Sequence, residues 1–525
     1  MIRSTTGLLL VSASLLFGQG QKFDVLITGA KVIDGSGSPW YYADIGIRGD
    51  TIAAVGLLPD AAATVRVDAH GLVAAPGFID IHSHGRRGIF EVPTAENYLR
   101  EGVTTFVEGP DGSSPLPLAP FLERVAKTPI SINMATFVGQ GSIRSAVVGL
   151  ANRKATPEEI EKMKALAAQA MKDGAFGLST GLYYVPGNFT PTEEVIEIAK
   201  VVGRMGGIHI SHMREEAAHV LDSVRETIRI GEEGGLPTQI THHKIIGQGN
   251  WGQSVESLKL VEEARARGVD VTIDQYPYTA SSTGIASLFP QWALEGGQKS
   301  TLERLSSTDT RARIKAVIVE NIKHDRGAGD PKNVSIANCG FDKSLAGKNL
   351  AEITHARGVE PTIENAADTA IELQQKGGCS AIYHAIGEDD VVRILRSPYT
   401  MIASDGEIPV FGQAAPHPRS YGTFARVLGV YVREKKVLTL EEGVRRMSGY
   451  PAARLKIWDR GLLRPGMKAD VVVFDPDKIG DRATFEKPHQ YSVGVRDVMV
   501  NGKFALREGA VTTERPGRVL YGPSH

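Results

Sequence analysis

The sequence predicts an α/β protein: a (β/α)8 barrel of the TIM type with a small β-sandwich formed from both chain ends. Three observations carry that expectation. Residues 23–75 read as short strands separated by Gly, Asp and Pro turns. From Gly77 apolar strand-like runs alternate with helical patterns, and after about residue 460 strands return. Repeated strand–helix alternation requires parallel strands, and this many units favours a closed barrel over an open sheet. The expected boundaries are 1–20 for an N-terminal leader, 21–76 and 461–525 for the two parts of the sandwich, and 77–460 for the barrel.

The leader comes first. Met1-Ile2-Arg3 gives a positive start, Gly7 to Phe17 is an apolar run too short to span a bilayer comfortably, and Gly18-Gln19-Gly20 supplies small residues before a cut near Gly20-Gln21. This is the pattern of a secretory signal peptide, with an uncleaved membrane anchor as the alternative. No Cys follows the run, which argues against a lipoprotein anchor. No later segment reaches the roughly eighteen apolar residues of a membrane helix. The expected product is exported, periplasmic or secreted, with no stable membrane insertion after cleavage.

The first β layer is expected over Phe23–Thr28, Lys31–Ile33, Asp44–Arg48, Thr51–Val55 and Thr64–Asp68, with turns such as Asp34-Gly35-Ser36-Gly37. Barrel-type strands are expected at Phe78–His82, Thr104–Glu108, Ile132–Val138, Gly177–Thr180, Ile208–His212, Thr238–His242, Val269–Asp274, Val334–Ala337 and Met401–Ser404. Helices fall between them, including Pro157–Asp173, Thr192–Met205 and Ser254–Arg267. The first opens on Thr156-Pro157-Glu158-Glu159, a cap followed by Pro and acids in the first turn. Extra length between about residues 285 and 330, with Trp292 and Arg311-Ala312-Arg313, has no place in the repeat. Ala469–Phe474 and Asp497–Val500, followed by Asn501-Gly502, restore strands and a turn.

Composition narrows the function. The 525 residues carry 59 Lys+Arg and 60 Asp+Glu, a net charge of −1, with no dense basic run, so binding nucleic acid through bulk positive charge is excluded. Hydrophobic content of 42% with 23% charged residues describes an ordinary globular chain. Cys339 and Cys379 are the two cysteines, too few for a disulfide framework or a Cys-rich zinc site. Whether they pair is left open.

The chemistry-bearing residues sit at strand ends. His82-Ser83-His84 follows Phe78–Ile81, and residues two apart on a strand face the same way, so both imidazoles can grip one cation. Glu108, His212, the pair His242-His243, and Asp405 close later expected strands. Each alone is as readily a hydrogen-bonded core histidine or a helix cap. Together they share one address, the mouth where barrel active sites lie. Imidazole and carboxylate suit Zn²⁺, and also Mn²⁺, Fe²⁺ or Co²⁺.

The chain resembles the amidohydrolase superfamily and, within it, the N-acyl-D-amino-acid deacylase (D-aminoacylase) family. The resemblance rests on Gly77-Phe78-Ile79-Asp80-Ile81-His82-Ser83-His84, Gly102-Val103-Thr104-Thr105, Phe176-Gly177-Leu178-Ser179-Thr180-Gly181-Leu182 and Ser211-His212-Met213-Arg214. It continues through Thr241-His242-His243-Lys244, Asp274-Gln275-Tyr276-Pro277-Tyr278, Ser404-Asp405-Gly406, His417-Pro418-Arg419 and Gly466-Met467-Lys468-Ala469-Asp470, spanning about residues 23 to 505. It implies the same barrel and sandwich, and metal-assisted hydrolysis of a linear amide. His82 and His84 would bind one metal position, His212 and His242 the other, and Asp405 would stand beside the attacking water as proton carrier. Lys244 and Arg419 would hold the carboxylate of a small anionic N-acyl amino acid, with Tyr184 and Tyr276 lining the site. The implied cofactor is one or two divalent ions, zinc first, with Mn²⁺ or Co²⁺ as alternatives.

One departure stands out. The family's Cys ligand, in a Gly-Asn-Cys-Gly setting, is replaced here by Val107-Glu108-Gly109-Pro110-Asp111-Gly112. Register puts Asp111 in its place, but Pro-Asp-Gly is a strong turn signal and Glu108 lies nearer the strand end. Glu108 is therefore the favoured ligand, able to bridge two metals. Two other readings are weighed. A dipeptidase or cyclic-amide hydrolase of the same superfamily is one; the absence of Lys from Gly177-Leu178-Ser179-Thr180 counts against the lysine-dependent cyclic-amide enzymes. The other, an inactive binding scaffold, predicts gaps among the ligand-type residues, and none is seen.

Overall fold

The computed structural model describes residues 22–525. The signal peptide expected over residues 1–20 lies outside them.

Five strands come first: β1 (Lys22–Val32), β2 (Tyr41–Arg48), β3 (Thr51–Gly56), β4 (Ala62–Asp68) and β5 (Val73–Pro76). The two short strands expected over 23–33 are one strand, with a register shift between Ile27 and Ala30. β1 buries Leu26 in one apolar cluster and Val25 and Ile27 in another, so both of its faces are covered. β2 and β3 run antiparallel beside it. On its other edge β4 pairs with the first part of β1 and β5 with its end, both in parallel.

The barrel follows. Its strands are β6 (Phe78–Asp80), β7 (Val103–Glu108), β8 (Asn133–Thr136) continued by β9 (Val138–Gly139), β10 (Gly177–Gly181), β11 (Ile208–His212), β12 (Thr238–Ile240) and β13 (Val271–Gln275). An insertion then contributes β14 (Ser281–Gly284), β15 (Val334–Cys339) and β16 (Cys379–Tyr383) before the last barrel strand, β17 (Thr400–Ile402). Neighbours are parallel from β6 to β8 and from β9 through β13 to β17. Counting β8 and β9 as one interrupted strand gives eight. The ring closes where Asp405 N donates to His82 O at 2.9 Å and His84 N to Gly406 O at 2.7 Å. The helix Pro157–Asp173 begins at the expected Thr156 cap, and Glu159 completes it as a capping box.

One expectation changes, and one open question is answered. Val334–Ala337 is not a barrel strand: β15 lies in an antiparallel sheet, order β14-β16-β15, packed with the helices Gly297–Ser306, Thr308–His324 and Ile363–Gln375 around a core of its own. A short apolar run reads the same in either sheet, since only its partners differ. Cys339 and Cys379 are directly opposed in β15 and β16 and form a disulfide.

The C-terminal strands are β18 (Val471–Phe474), β19 (Val495–Val500), β20 (Lys503–Arg507) and β21 (Ala510–Val511). β18 pairs antiparallel with β5, so the two chain ends share one nine-stranded sheet. The last residues leave it. Val519 bridges to Met134, and Leu520 N donates to Met134 O at 2.7 Å, which places the tail against the barrel instead of in the sandwich.

Candidate active site

Parallel strands deliver their following loops to one end of the barrel, and that end gathers the ligand-type residues. His82 and His84 follow β6, Asp111 follows β7, His212 ends β11, His242 follows β12 and Asp405 follows β17. Two groups form, sharing Asp111: His82, His84, Asp111 and Asp405, and Asp111, His212 and His242. Asp111 Oδ1 lies 3.5 Å from His82 Nε2 and 3.4 Å from His242 Nε2; its Oδ2 lies 3.3 Å from His84 Nε2 and 3.8 Å from His212 Nδ1. Asp405 Oδ1 stands 3.4 Å from His82 Nε2 and 3.0 Å from His84 Nε2.

This corrects the choice between the two acids. Glu108 is in neither group. Its carboxylate accepts from the Arg86 backbone N at 3.0 Å and faces the Arg86 guanidinium at 3.5 Å. The Pro-Asp-Gly turn, read as a reason to discount Asp111, is what lifts it over the mouth. Asp111 has φ +54°, and the glycines beneath leave room for its turn: a Cβ on Gly181 would sit 2.1 Å from Asp111 O, and one on Gly139 2.3 Å from Gly112 O.

His242 and Asp405 are likewise left-handed, at φ +35° and +50°. Three non-glycine residues in this sparsely populated region meet at one site, and their surroundings hold them there. His242 N donates to Asp274 Oδ1 at 2.6 Å, Asp405 N is tied to His82 O, and Gly112 N donates to Ser179 Oγ at 3.1 Å. Beneath, the buried Asp80 accepts from the backbone N and the hydroxyl of Ser404; burial pushes its carboxyl up to about 6 against those bonds.

The charges are set by these neighbours. Burial alone would raise Asp111 and Asp405, yet the histidines around Asp111, and Arg419 with His82 beside Asp405, hold both well below the ordinary carboxylate range. Burial opposes the imidazolium of His84, and the two carboxylates outweigh it, bringing its pKa to about 10. Polar atoms that are buried without a hydrogen-bond partner concentrate here: both ring nitrogens of His82, Nε2 of His212 and Oδ1 of Asp111. Such atoms are costly to leave bare, and a cation beside Asp111 would satisfy its Oδ1 and His82 Nε2, which lie 3.5 Å apart, together.

The chamber above is about 700 Å³. Lys244 Nζ donates to Glu216 Oε1 at 2.5 Å and sits 2.7 Å from His242 Nδ1. Arg419 Nη1 lies 2.8 Å from Asp405 Oδ2. Tyr184 packs on His212 with ring centroids 4.6 Å apart, its hydroxyl on Thr283 at 3.0 Å. Tyr276 lies under Arg419, and its hydroxyl has no partner. His243, adjacent to His242, turns away to Ser257 Oγ at 2.8 Å.

Sequence reasoning missed Glu216 and Arg326. Glu216 follows His212 by four residues and touches His242, Lys244 and Arg326, so an acid just after a strand-ending histidine was its available signal. Arg326 comes from the insertion, and nothing in the local sequence points it at the barrel mouth.

Residues 135–505 match the model of the Amidohydro_3 amidohydrolase family. A D-aminoacylase of Alcaligenes xylosoxydans xylosoxydans is 39% identical over 523 residues, covering 95% of this chain and 98% of that protein. The chain belongs to the amidohydrolase family, in its N-acyl-D-amino-acid deacylase branch. Among solved structures, a D-aminoacylase studied for the functional role of its binuclear metal center superposes with a TM-score of 0.81 at 36% identity, covering 95% of this chain and all of that one. An N-acyl-D-glutamate deacylase of Bordetella bronchiseptica, complexed with zinc and a phosphonate inhibitor mimicking the tetrahedral intermediate, gives 0.81 at 34% identity over 95% of this chain and 100% of its own. The family barrel with its β domain is thus the fold of this chain, and it is a hydrolase of amide C–N bonds.

Proposed function

We propose that this amidohydrolase removes the acyl group from N-acyl-D-amino acids, using a divalent metal, zinc first, held in the barrel mouth. The observation that carries the reading is the convergence of His82, His84, Asp111, His212, His242 and Asp405, with their unpartnered nitrogen and oxygen atoms, on one small volume. His82, His84, Asp111 and Asp405 would hold one ion, and Asp111, His212 and His242 a second. A carboxylate at the position where the family resemblance implies Cys makes a harder ligand set, which fits Mn²⁺ or Co²⁺ as well as Zn²⁺. When bound, such an ion lowers the pKa of water toward about 7 and polarises a carbonyl.

The chain's own groups do the rest. Asp405, kept ionised by Arg419 and the histidines, takes the proton from the attacking water and hands it to the leaving nitrogen, since an amine departs poorly unless protonated. Tyr184 and Tyr276 line the chamber beside the histidines, and the free hydroxyl of Tyr276 can donate to a developing oxyanion. The cations of the chamber favour an anionic substrate such as an N-acyl amino acid. Export is part of this proposal. It is supported by the N-terminal pattern and by the Cys339–Cys379 bridge, a bond that persists in oxidising compartments. Among the described residues no helix is long and apolar enough to cross a membrane.

The test is release of the free amino acid from N-acetyl-D-amino acids, N-acetyl-L-amino acids and dipeptides, after chelation and after adding back Zn²⁺, Mn²⁺ or Co²⁺. Metal-dependent turnover of the D compounds is expected. Turnover of L compounds alone, or of dipeptides alone, overturns the assignment.

A further inference from the structure

Asp405 sits in a left-handed turn, and the residues on either side of it are tied to a distant part of the chain. The connection between β6 and β7 carries a short helix, Glu96–Leu99, entered through Ala95 at φ +45°. Its Asn97 and Tyr98 are both buried, and neither lines the chamber.

The Tyr98 ring stacks on Phe106, with centroids 6.2 Å apart, and its hydroxyl reaches the seam where the barrel closes. There it lies 2.7 Å from Ser83 Oγ, 3.2 Å from Ser404 Oγ and 3.4 Å from Gly406 O. Ser83 separates His82 from His84, and Ser404 and Gly406 flank Asp405. Ser83 Oγ accepts from Gly85 N at 3.1 Å; Ser404 Oγ accepts from Gly406 N at 2.9 Å and donates to Asp80. The arrangement that leaves no hydroxyl proton unused has Ser83 donating to Tyr98 and Tyr98 donating to Ser404. It is one chain of hydrogen bonds from the end of β6 to the end of β17, and each bond polarises the next. Asn97 adds a second tie. Its amide nitrogen donates to Glu407 O at 3.0 Å and to Ser420 O at 2.6 Å, joining the loop after Asp405 to the helix Arg419–Arg426. Packing alone would be met by Phe at position 98; the hydroxyl is what spans the seam.

We propose that Tyr98 is a positioning residue for the hydrolysis, its hydroxyl fixing Asp405 against His82 and His84 across the barrel seam, with Asn97 as the second tie. Both act through Asp405. This assignment rests on the reading of Asp405 as proton carrier, so the experiment separates the two.

The measurement is a double-mutant cycle. Steady-state release of D-leucine from N-acetyl-D-leucine is followed with metal-loaded wild type, Tyr98→Phe, Asp405→Asn and the double variant, and metal content is measured on each preparation. Tyr98→Phe should lower kcat about 10- to 100-fold, the cost of misplacing a reacting group by about 1 Å, with KM within about twofold and metal as in the wild type. In the Asp405→Asn background the same substitution should cost less than about threefold, because the group it positions has already lost its function. A side chain that only stabilised the fold would cost the same factor in both backgrounds, or lower kcat in proportion to lost metal. Either result overturns the proposal while sparing the proton-carrier reading, as does a Tyr98→Phe kcat within about threefold of wild type. Asn97→Ala carries the same cycle if Tyr98→Phe does not fold. If Asp405→Asn alone keeps kcat within about tenfold of wild type, the proton-carrier reading fails and this assignment with it.

Discussion

The substitution Asp405→Asn separates two roles that one carboxylate combines. Asn keeps the shape and can still face His82 and His84, 3.4 and 3.0 Å from Oδ1, but it cannot carry a proton between water and the leaving amine. Losing a positioned acid–base group costs about 10²- to 10⁴-fold, roughly 3–5 kcal/mol on the barrier. The second effect has the opposite sign. Oδ2 lies 2.8 Å from Arg419, both side chains being buried, and at an effective dielectric of about 20 the gross attraction across that gap is about 6 kcal/mol. With a neutral amide there, Arg419 is freed for an anionic substrate. The expectation is therefore a split: kcat falls by two to four decades while KM stays level or drops, the pattern of lost transition-state stabilisation with ground-state binding retained. The assay is steady-state hydrolysis of N-acetyl-D-leucine with metal content measured on the same preparations. A variant that keeps wild-type metal and a kcat within about tenfold of wild type would refute the proton-carrier role. A KM that rises in step with the loss of kcat/KM would refute the account of Arg419.

Asp111→Asn should weaken metal retention by about 10- to 100-fold or more, read by elemental analysis after dialysis, while Glu108→Gln keeps its metal; the reverse ranking would return the ligand role to Glu108. Acid should destabilise the fold through His209, which burial holds at about 3 against an ordinary 6.5. The unfolded chain takes the proton first, so the stability present above pH 6.5 falls by about 1.4 kcal/mol per pH unit on acidification and the loss levels off below about pH 3. In denaturant melts across that range His209→Gln should show a shallower slope, and an unchanged slope would exclude His209 as the source. Replacing Cys339 and Cys379 by Ser opens a loop of sequence separation 40, about 4 kcal/mol by chain entropy. Hydrogen exchange should then rise in residues 281–383 and stay unchanged in the barrel; a uniform rise would show that the insertion does not unfold separately.

Much of this protein is legible along the chain. Strand–helix alternation from Gly77 is a local pattern that parallel pairing imposes, so the barrel and most of its strands could be read directly. The histidines were found for the same reason: a residue that ends a barrel strand has its destination fixed by topology. Asp111 was not so fixed. It belongs to a loop, and a Pro-Asp-Gly turn looks the same whether it points to water or, seated on Gly139 and Gly181, into the mouth.

Local patterning by itself determined the periodic elements, the strand-end positions of the histidines and the residue types that suit a hydrolytic metal site. Tertiary structure decided which acid joins the histidines, that β15 belongs to the insertion, that Cys339 meets Cys379, and that Arg326 reaches the chamber. The physical reason is one of range. Backbone periodicity acts over a few residues and is written in sequence, whereas a charge finds its partner through space, across contacts that no local pattern records.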